Sequence, residues 1–494
     1  MLLRALLFCV HIRTPAQGNV MDLSSPPASS TDLETRFAHA RAAYQAQRMP
    51  GKEVRQARLR ALERLVLEQM PAIESAISAD FGHRSVHETR LLEVFPALTA
   101  IRGARRHVGR WMKPRRSWAS LWFLPARNEL RPQPLGVVGI VVPWNYPLLL
   151  ALSPLSGALA AGNQVLIKMS EFTPQTGQVL EGLFRQYFPD GSVQAVLGGP
   201  DTARAFCHLP FDHLLFTGST AVGREVMRAA AENLTPVTLE LGGKSPAIVG
   251  PECRIDEAAD KILFGKCLNA GQTCIAPDYV LVPRAQEQAF AEAAQRSVAR
   301  LYPTLATNPD YSAVINARHR ARLQGYLDDA AARGARVAVL NPAGESFEGT
   351  GKVPPALVAN VNDSMRLMQD EIFGPILPLV PYDTLDGAIA YVNARPRPLA
   401  LYYFGNFDDH VRKVLDSTVC GGVTVNETIL HISQESLPFG GVGPSGMGVY
   451  HGERGFETFS KIKPVFHQSP VNGLGLFKPP YGRRFERLLK ILLK

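Results

Sequence analysis

Apolar residues recur at three- and four-residue spacing through Leu59, Leu62, Leu65, Val66 and Met70, which is one face of a helix. The pattern predicts helices over Leu33 to Gln47 and Val54 to Phe81, and a third helical stretch from His87 to Trp111. It then breaks. Lys113 to Arg131 carries Trp118, Leu121, Trp122, Phe123, Leu124 and Pro125 and suits a short hairpin with bulky side chains, serving either an interface or its own domain. From Leu135 to Pro143 the chain is continuously apolar and β-branched, as in a buried parallel strand. Further strands are predicted at Gln164 to Lys168, Ser192 to Leu197, His213 to Phe216 and Val237 to Leu241. They alternate with helices over Leu148 to Ala161, Thr173 to Tyr187, Asp201 to His208 and Ala221 to Asn233. Such alternation means βαβ units around a parallel sheet.

After Gly242-Gly243-Lys244 the alternation begins again. Strands are predicted at Pro246 to Val249, Val280 to Val282, Val337 to Leu340, Ala356 to Val358 and Leu401 to Phe404. The helices between them are Ile255 to Asn269, Glu287 to Leu301, His319 to Arg333 and Thr384 to Arg395. This is a second α/β domain, and Gly455 to Gln468 suits a late crossing segment. At the tail, Phe485, Leu488, Leu489 and Leu492 fall on one helical face, with Arg483, Arg484, Arg487, Lys490 and Lys494 set against Glu486. A helix this short needs a packing partner. The body or a partner subunit is the first reading, and a membrane-surface contact of a basic amphipathic helix is the second. Residues 1–30 are expected to be a disordered extension. Met1 to Val10 is apolar but too short to span a membrane and lacks a clear cleavage site after it, and Met21 is an alternative start.

Composition narrows the class. A chain of 494 residues holds two or three domains with a large core. Its six cysteines form no CxxC pair and no Cys/His cluster has metal-ligand spacing, which argues for a reducing, cytoplasmic setting and against a disulfide framework or a bound metal. The formal charge of +9 is spread along the chain without an aromatic–basic motif, so an anionic cofactor or substrate accounts for it better than nucleic acid.

Candidate chemistry lies at the ends of the predicted strands. Cys274 stands on the polar, Gly-containing segment Asn269 to Cys274, where a thiol is either a nucleophile or a small buried residue. Phe216-Thr217-Gly218-Ser219-Thr220-Ala221-Val222-Gly223 runs from strand through a turn to a helix start. It suits phosphate on helix N–H groups but is not the GxGxxG fingerprint, and as a bare turn it would carry nothing. Lys168 and Glu171 end a neighbouring strand, where an acid grips ribose hydroxyls in open α/β sheets or is merely solvated. Glu240 ends an apolar strand, where burial would raise its pKa and suit a general base. Asn145 lies between Trp144 and Tyr146 just past a buried strand, as an oxyanion donor or as an ordinary turn residue.

Taken in order, Trp144-Asn145-Tyr146-Pro147, Phe216-Thr217-Gly218-Ser219, Leu239-Glu240-Leu241-Gly242-Gly243-Lys244, Gly271-Gln272-Thr273-Cys274 and Glu371-Ile372-Phe373-Gly374-Pro375 resemble the motifs of the aldehyde dehydrogenase superfamily. The resemblance spans roughly residues 33–470. Pro438 to Gly448 and Tyr450-His451-Gly452 are similar to its class 3 branch, and the whole chain is most similar to the bacterial coniferyl type.

The resemblance implies an α/β fold of a variant Rossmann NAD-binding domain (31–112 and 132–241), a catalytic domain (242–427), and a bridging element with the tail (113–131 and 428–494). It implies that Cys274 forms a thiohemiacetal and then a thioester, that Asn145 and the Cys274 amide hold the oxyanion, and that Glu240 activates the hydrolytic water. Lys168 and Glu171 would bind the adenosine ribose, Gly218, Ser219, Gly223 and Leu241 would lie along the cofactor, Glu371 would bind the nicotinamide ribose, and Phe373 would lie beside the ring. Met169 stands where the family most often has a rigid proline. NAD is expected as cofactor with NADP tolerated, because a carboxylate at Glu171 repels a 2′-phosphate. The expected substrate is a hydrophobic or aromatic aldehyde, a hydroxycinnamaldehyde first, with Tyr146 lining a flat tunnel, and the expected assembly is a homodimer. Alternatives are a fatty aldehyde, a CoA-acylating semialdehyde dehydrogenase, which needs no Glu240, and a non-catalytic protein on the same fold.

Overall fold

The computed structural model describes residues 30–406 and 409–493; the expected extension before Ser30 lies outside them. In chain order the strands are β1 (Arg115–Ser117), β2 (Arg127–Pro134), β3 (Val137–Val141), β4 (Gln164–Lys168), β5 (Val193–Val196), β6 (His213–Thr217), β7 (Val237–Glu240), β8 (Pro246–Val249), β9 (Tyr279–Pro283), β10 (Arg336–Val339), β11 (Ala356–Ala359), β12 (Ile376–Tyr382), β13 (Ala400–Phe404), β14 (Gly422–Val425), β15 (Gly446–Met447) and β16 (Ser460–His467).

They form three sheets: six strands in the order β15-β7-β6-β3-β4-β5, seven in the order β10-β11-β12-β9-β8-β13-β14, and three in the order β1-β2-β16. Strands β3 to β7 are parallel, and every residue of β3, β4 and β6 is buried. Helices cover both faces of such a sheet, so its strands are apolar throughout instead of alternating. The helix Leu149–Ala161 is apolar all round and almost wholly buried, which fixes it at the centre of the domain. It packs against the helix Phe95–Trp111 and the helix Lys52–Phe81.

Three departures from the sequence pattern have physical causes. The predicted helix Ile255 to Asn269 stops at Cys267, because Asn269 and Ala270 take φ of 51° and 50°, outside the right-handed helical region. Strand β12 was not expected. Pro378 and Pro381 lie within it, and proline argues against a central strand, yet β12 pairs with β11 on one side and β9 on the other. The third helical stretch, predicted as continuous, contains a π-turn at Arg90–Val94.

The Lys113 to Arg131 excursion is a hairpin, β1 against β2, and β2 runs on to Pro134, paired along its whole length with β16. Trp118 is 96% exposed and Leu121 77%. The tail forms the helix Arg483–Leu492, with Phe485 in contact with Phe477 and Tyr481.

Candidate active site

The nucleophile loop is built from a sharp exit. Asn269, Ala270 and Gly271 are successive residues with positive φ. Two of them carry side chains, a strained backbone that persists only when its surroundings hold it. A Cβ at Gly271 would meet the Gly374 carbonyl, so glycine is required there. The Asn269 N–H donates to Glu88 Oε1 at 3.1 Å. The Gln272 side chain donates to the Asn269 and Ala313 carbonyls at 2.8 and 3.0 Å and accepts from the Ile315 N–H at 2.9 Å.

Cys274, two residues on, is half-buried. Burial, then the carboxyls of Glu371 and Glu240, push its thiol up to about 12, against the N–H groups of Cys274 and Ile275 at the sulfur. Cys274 therefore rests as a thiol, and any nucleophilic role would first require the loss of its proton.

Glu240 closes β7, 2% exposed, and neither carboxyl oxygen has a hydrogen-bond partner. Burial raises its pKa well above the usual carboxylate range. An unsatisfied buried carboxyl is costly and has full capacity left for a ligand or water. Asn145 is 3% exposed. Its Nδ2 donates to the Gln272 carbonyl at 3.1 Å, which uses one of two N–H bonds, and its carbonyl accepts from Arg84 Nη1 at 2.9 Å and Asn269 Nδ2 at 3.1 Å. Tyr146 is buried, its hydroxyl 2.6 Å from Thr273 Oγ1. It thus reaches the thiol loop through the residue before Cys274.

The other predicted residues lie at or after the C-terminal ends of β4, β6 and β7, except Glu371 and Phe373, which precede β12. Ser219 caps the helix Thr220–Glu232 and accepts from the Val222 N–H, and it is exposed, as is Glu171. A Cβ at Gly223 would come within 2.6 Å of Leu241 Cδ2, so glycine there sets the close packing of helix on strand. The Lys168 ammonium is buried and donates to the Met169 and Gly198 carbonyls at 2.6 and 2.7 Å, which leaves one of its three N–H bonds for a ligand. The carboxyl of Glu371 lies against Gly242, where a Cβ would strike it, and its Oε1 has no partner. Burial, then Asp278, push it up to about 8. Phe373 has φ of 48° and meets Trp144 edge-on at 5.4 Å. Arg322 fixes this turn through the Ile372 and Phe373 carbonyls at 2.8 and 3.2 Å. A helix start with an exposed cap, an exposed acid at another strand end of the same sheet and an orphaned carboxyl oxygen together fit a dinucleotide.

Sequence reading missed Arg84, Glu88 and Glu93, all buried here. A signal existed for one of them: Glu93 lies on the stripe that continues through Ala97, Ile101, Ala104 and Val108, all buried, and a charge on a core stripe needs a partner. It missed Lys266 as well, a buried lysine with no hydrogen-bond partner that burial lowers to about 8.

The model of the aldehyde dehydrogenase family matches residues 9–465. A protein of Pseudomonas aeruginosa named "Probable coniferyl aldehyde dehydrogenase" is 53% identical over 457 residues, 92% of this chain and 95% of that protein. The coniferyl aldehyde dehydrogenase of Pseudomonas sp. strain HR199 is 45% identical over 478 residues, 96% and 99% of the two chains. The crystal structure of a Mycobacterium tuberculosis aldehyde dehydrogenase complexed with NAD+ superposes with a TM-score of 0.81 at 30% identity, covering 90% of this chain and 92% of that one.

Proposed function

The chain belongs to the aldehyde dehydrogenase family, and we propose that it oxidises a hydroxycinnamaldehyde of the coniferyl type through a thioester on Cys274. Its activity is the nicotinamide-dependent oxidation of an aldehyde to the carboxylic acid. The observation that carries the mechanism is Glu240, a buried carboxyl with both oxygens unspent inside the electrostatic field of the Cys274 thiol.

In this reading the Cys274 thiol passes its proton to a water molecule, and the sulfur attacks the aldehyde carbon. The oxygen that becomes an alkoxide accepts from the second N–H of Asn145 Nδ2 and from the Cys274 amide, donors worth most where water is excluded. A bound nicotinamide supplies the hydride acceptor that turns the thiohemiacetal into a thioester. Glu240, as carboxylate, then takes a proton from water, the hydroxide adds to the thioester carbon, and the tetrahedral centre expels the Cys274 thiolate to leave the acid. An acylating, CoA-dependent reaction would not need that base. Glu171 would hold the adenosine ribose with Lys168 at the same strand end. Gly218, Ser219, Gly223 and Leu241 would lie along the pyrophosphate, Glu371 would hold the second ribose, and Phe373 would lie beside the ring.

The aromatic preference rests on the rings packed near Cys274. Tyr402, His431, Phe439 and His451 form a continuous run of rings, with His431–Phe439 and Phe439–His451 stacked at 6.0 and 5.4 Å, and Tyr402 and Tyr450 interact electrostatically with Cys274. Flat apolar walls favour a planar conjugated aldehyde. A panel of cinnamaldehydes, medium-chain alkanals and acetaldehyde with NAD is expected to give the highest kcat/KM for the cinnamaldehydes. A higher value for acetaldehyde would dispose of the planar-substrate reading.

The assembly proposed is a homodimer through the hairpin, whose Trp118, Leu121 and Trp122 leave an apolar surface too large for a monomer to expose without use. The tail helix, which presents Ile491 and Leu493, would pack on the second copy. A cytoplasmic setting fits the free cysteines; among the described residues no helix is long and apolar enough to cross a membrane. Sedimentation of the full chain should give the dimer mass, and Trp118→Ser with Trp122→Ser should give the monomer. Wild-type monomer, or a dimer untouched by both changes, would remove the hairpin from the interface.

A further inference from the structure

Arg84 and Glu93 form an ion pair at 2.9 Å with both side chains 0% exposed. A fully buried pair adds little stability over apolar residues of the same size, so its presence has to be accounted for by what it orients. Arg84 Nη1 also donates to the Asn145 carbonyl at 2.9 Å. The guanidinium packs over the Phe81 ring at 4.9 Å and the Tyr146 ring at 4.8 Å, which holds its plane. Glu93 Oε2 accepts from the N–H groups of Leu148 and Leu149 at 2.8 and 3.2 Å, where the helix Leu149–Ala161 begins. Glu93 itself sits on the π-turn Arg90–Val94, a local irregularity of the kind that re-aims a side chain at a functional site.

The pair therefore grips the Trp144 to Pro147 turn at both ends, the Asn145 carbonyl on one side and the amides just past Pro147 on the other. With its backbone fixed, Asn145 places Nδ2 on the Gln272 carbonyl at 3.1 Å, two residues before Cys274. Glu88 completes the frame from the other loop. It accepts from the Asn269 N–H at 3.1 Å and from Ser312 Oγ at 2.5 Å, and Asn269 Nδ2 donates to the same Asn145 carbonyl at 3.1 Å.

We propose that Arg84 and Glu93 are positioning residues that hold the Asn145 amide in register with the Cys274 sulfur and so pre-form the oxyanion pocket. This rests on the reading of Asn145 as the oxyanion donor. Neither residue touches substrate; each acts through the turn that carries Asn145. A displaced donor weakens transition-state stabilisation without changing the nucleophile or the cofactor groove.

Three measurements on Arg84→Met, Arg84→Lys, Glu93→Gln and Asn145→Ala decide this. They are the first-turnover burst of reduced cofactor, the rate of Cys274 alkylation by iodoacetamide, which forms no oxyanion, and the Kd for NAD. Asn145→Ala is expected to slow the burst about a hundredfold or more, and Arg84→Met and Glu93→Gln about ten- to a hundredfold. Alkylation and NAD binding should stay within about threefold, since neither uses the oxyanion donor. Arg84→Lys keeps the charge and one donor and should recover part of the burst, and it stands in if Arg84→Met fails to fold. In the Asn145→Ala background, Arg84→Met should add less than about threefold, because both act on one donor. A wild-type burst in the Arg84 variants, burst and alkylation falling together, or effects that multiply in the double variant would each overturn the proposal. An Asn145→Ala burst at the wild-type rate would instead overturn the oxyanion reading beneath it.

Discussion

The residues proposed to hold the cofactor (the groove) and those around Cys274 (the chamber) are built on different physics. Of the residues proposed to hold the cofactor, Ser219 and Glu171 are exposed while Lys168 and Leu241 are buried, and the packing of Gly223 on Leu241 shapes the site without spending a charge. The chamber excludes water. Glu240 and Asn145 are 2% and 3% exposed, and neither oxygen of Glu240 has a partner. There, burial pushes up the Glu240 carboxyl and the Cys274 thiol. A groove that must bind and release a large anion works by shape and backbone dipoles. A chamber that must move protons works by making every charge costly until the reaction needs it.

The sharpest way to break this contrast is Cys274→Ala. It is expected to cut aldehyde oxidation to below ~0.01% of wild type, because no other group there can form the thioester, while the Kd for NAD stays within about twofold. Near-wild-type turnover would end the nucleophile assignment, and a large loss of NAD affinity would mean that groove and chamber are one site.

Glu240→Gln probes the chamber alone. Steady-state turnover should fall about 10²- to 10⁴-fold while the first-turnover burst survives, since only deacylation loses its base. Because burial raises the Glu240 pKa, the active carboxylate is lost as pH falls through that raised value. Wild-type deacylation should therefore still climb with pH above the usual carboxylate range, and the climb should vanish in the Gln variant. Disappearance of the burst along with turnover would make Glu240 a base for Cys274 or a structural residue.

The smallest effect is expected in the groove. Glu171→Gln removes the exposed carboxylate proposed to face the adenosine ribose, and the kcat/KM ratio of NADP to NAD should rise about tenfold, the order of a single screened charge contact. Wild type should favour NAD. An unchanged ratio in the variant would move Glu171 away from the ribose.

Much of this division was legible from residues 135–283, where uninterrupted β-branched runs and helix-period stretches announce the two sheets before any contact is known. Strand β12 was not legible, because the two prolines within Ile376–Tyr382 count against a strand locally while neighbouring strands on both sides settle its place. Lys168 shows the same limit. Its position at a strand end marked it as a ligand contact, whereas its ammonium is largely taken up by the Met169 and Gly198 carbonyls. Glu93 was overlooked because a helical pattern does not say which charge on a core stripe finds a partner.

By itself, then, the sequence determined what is local: the alternation of strand and helix, the turns that end the strands, the order of the motifs, and so the family. Tertiary structure alone decided the state of the chemistry. Gln272 lies 127 positions after Asn145, and Asn145 61 positions after Arg84, so no local pattern relates them. Whether Glu240 is solvated or stripped of partners depends on packing from distant segments, among them Gly446 of β15 registered against it. Protonation and donor geometry follow from burial and from what faces each group across the fold, and both arise only when remote parts of the chain are brought together.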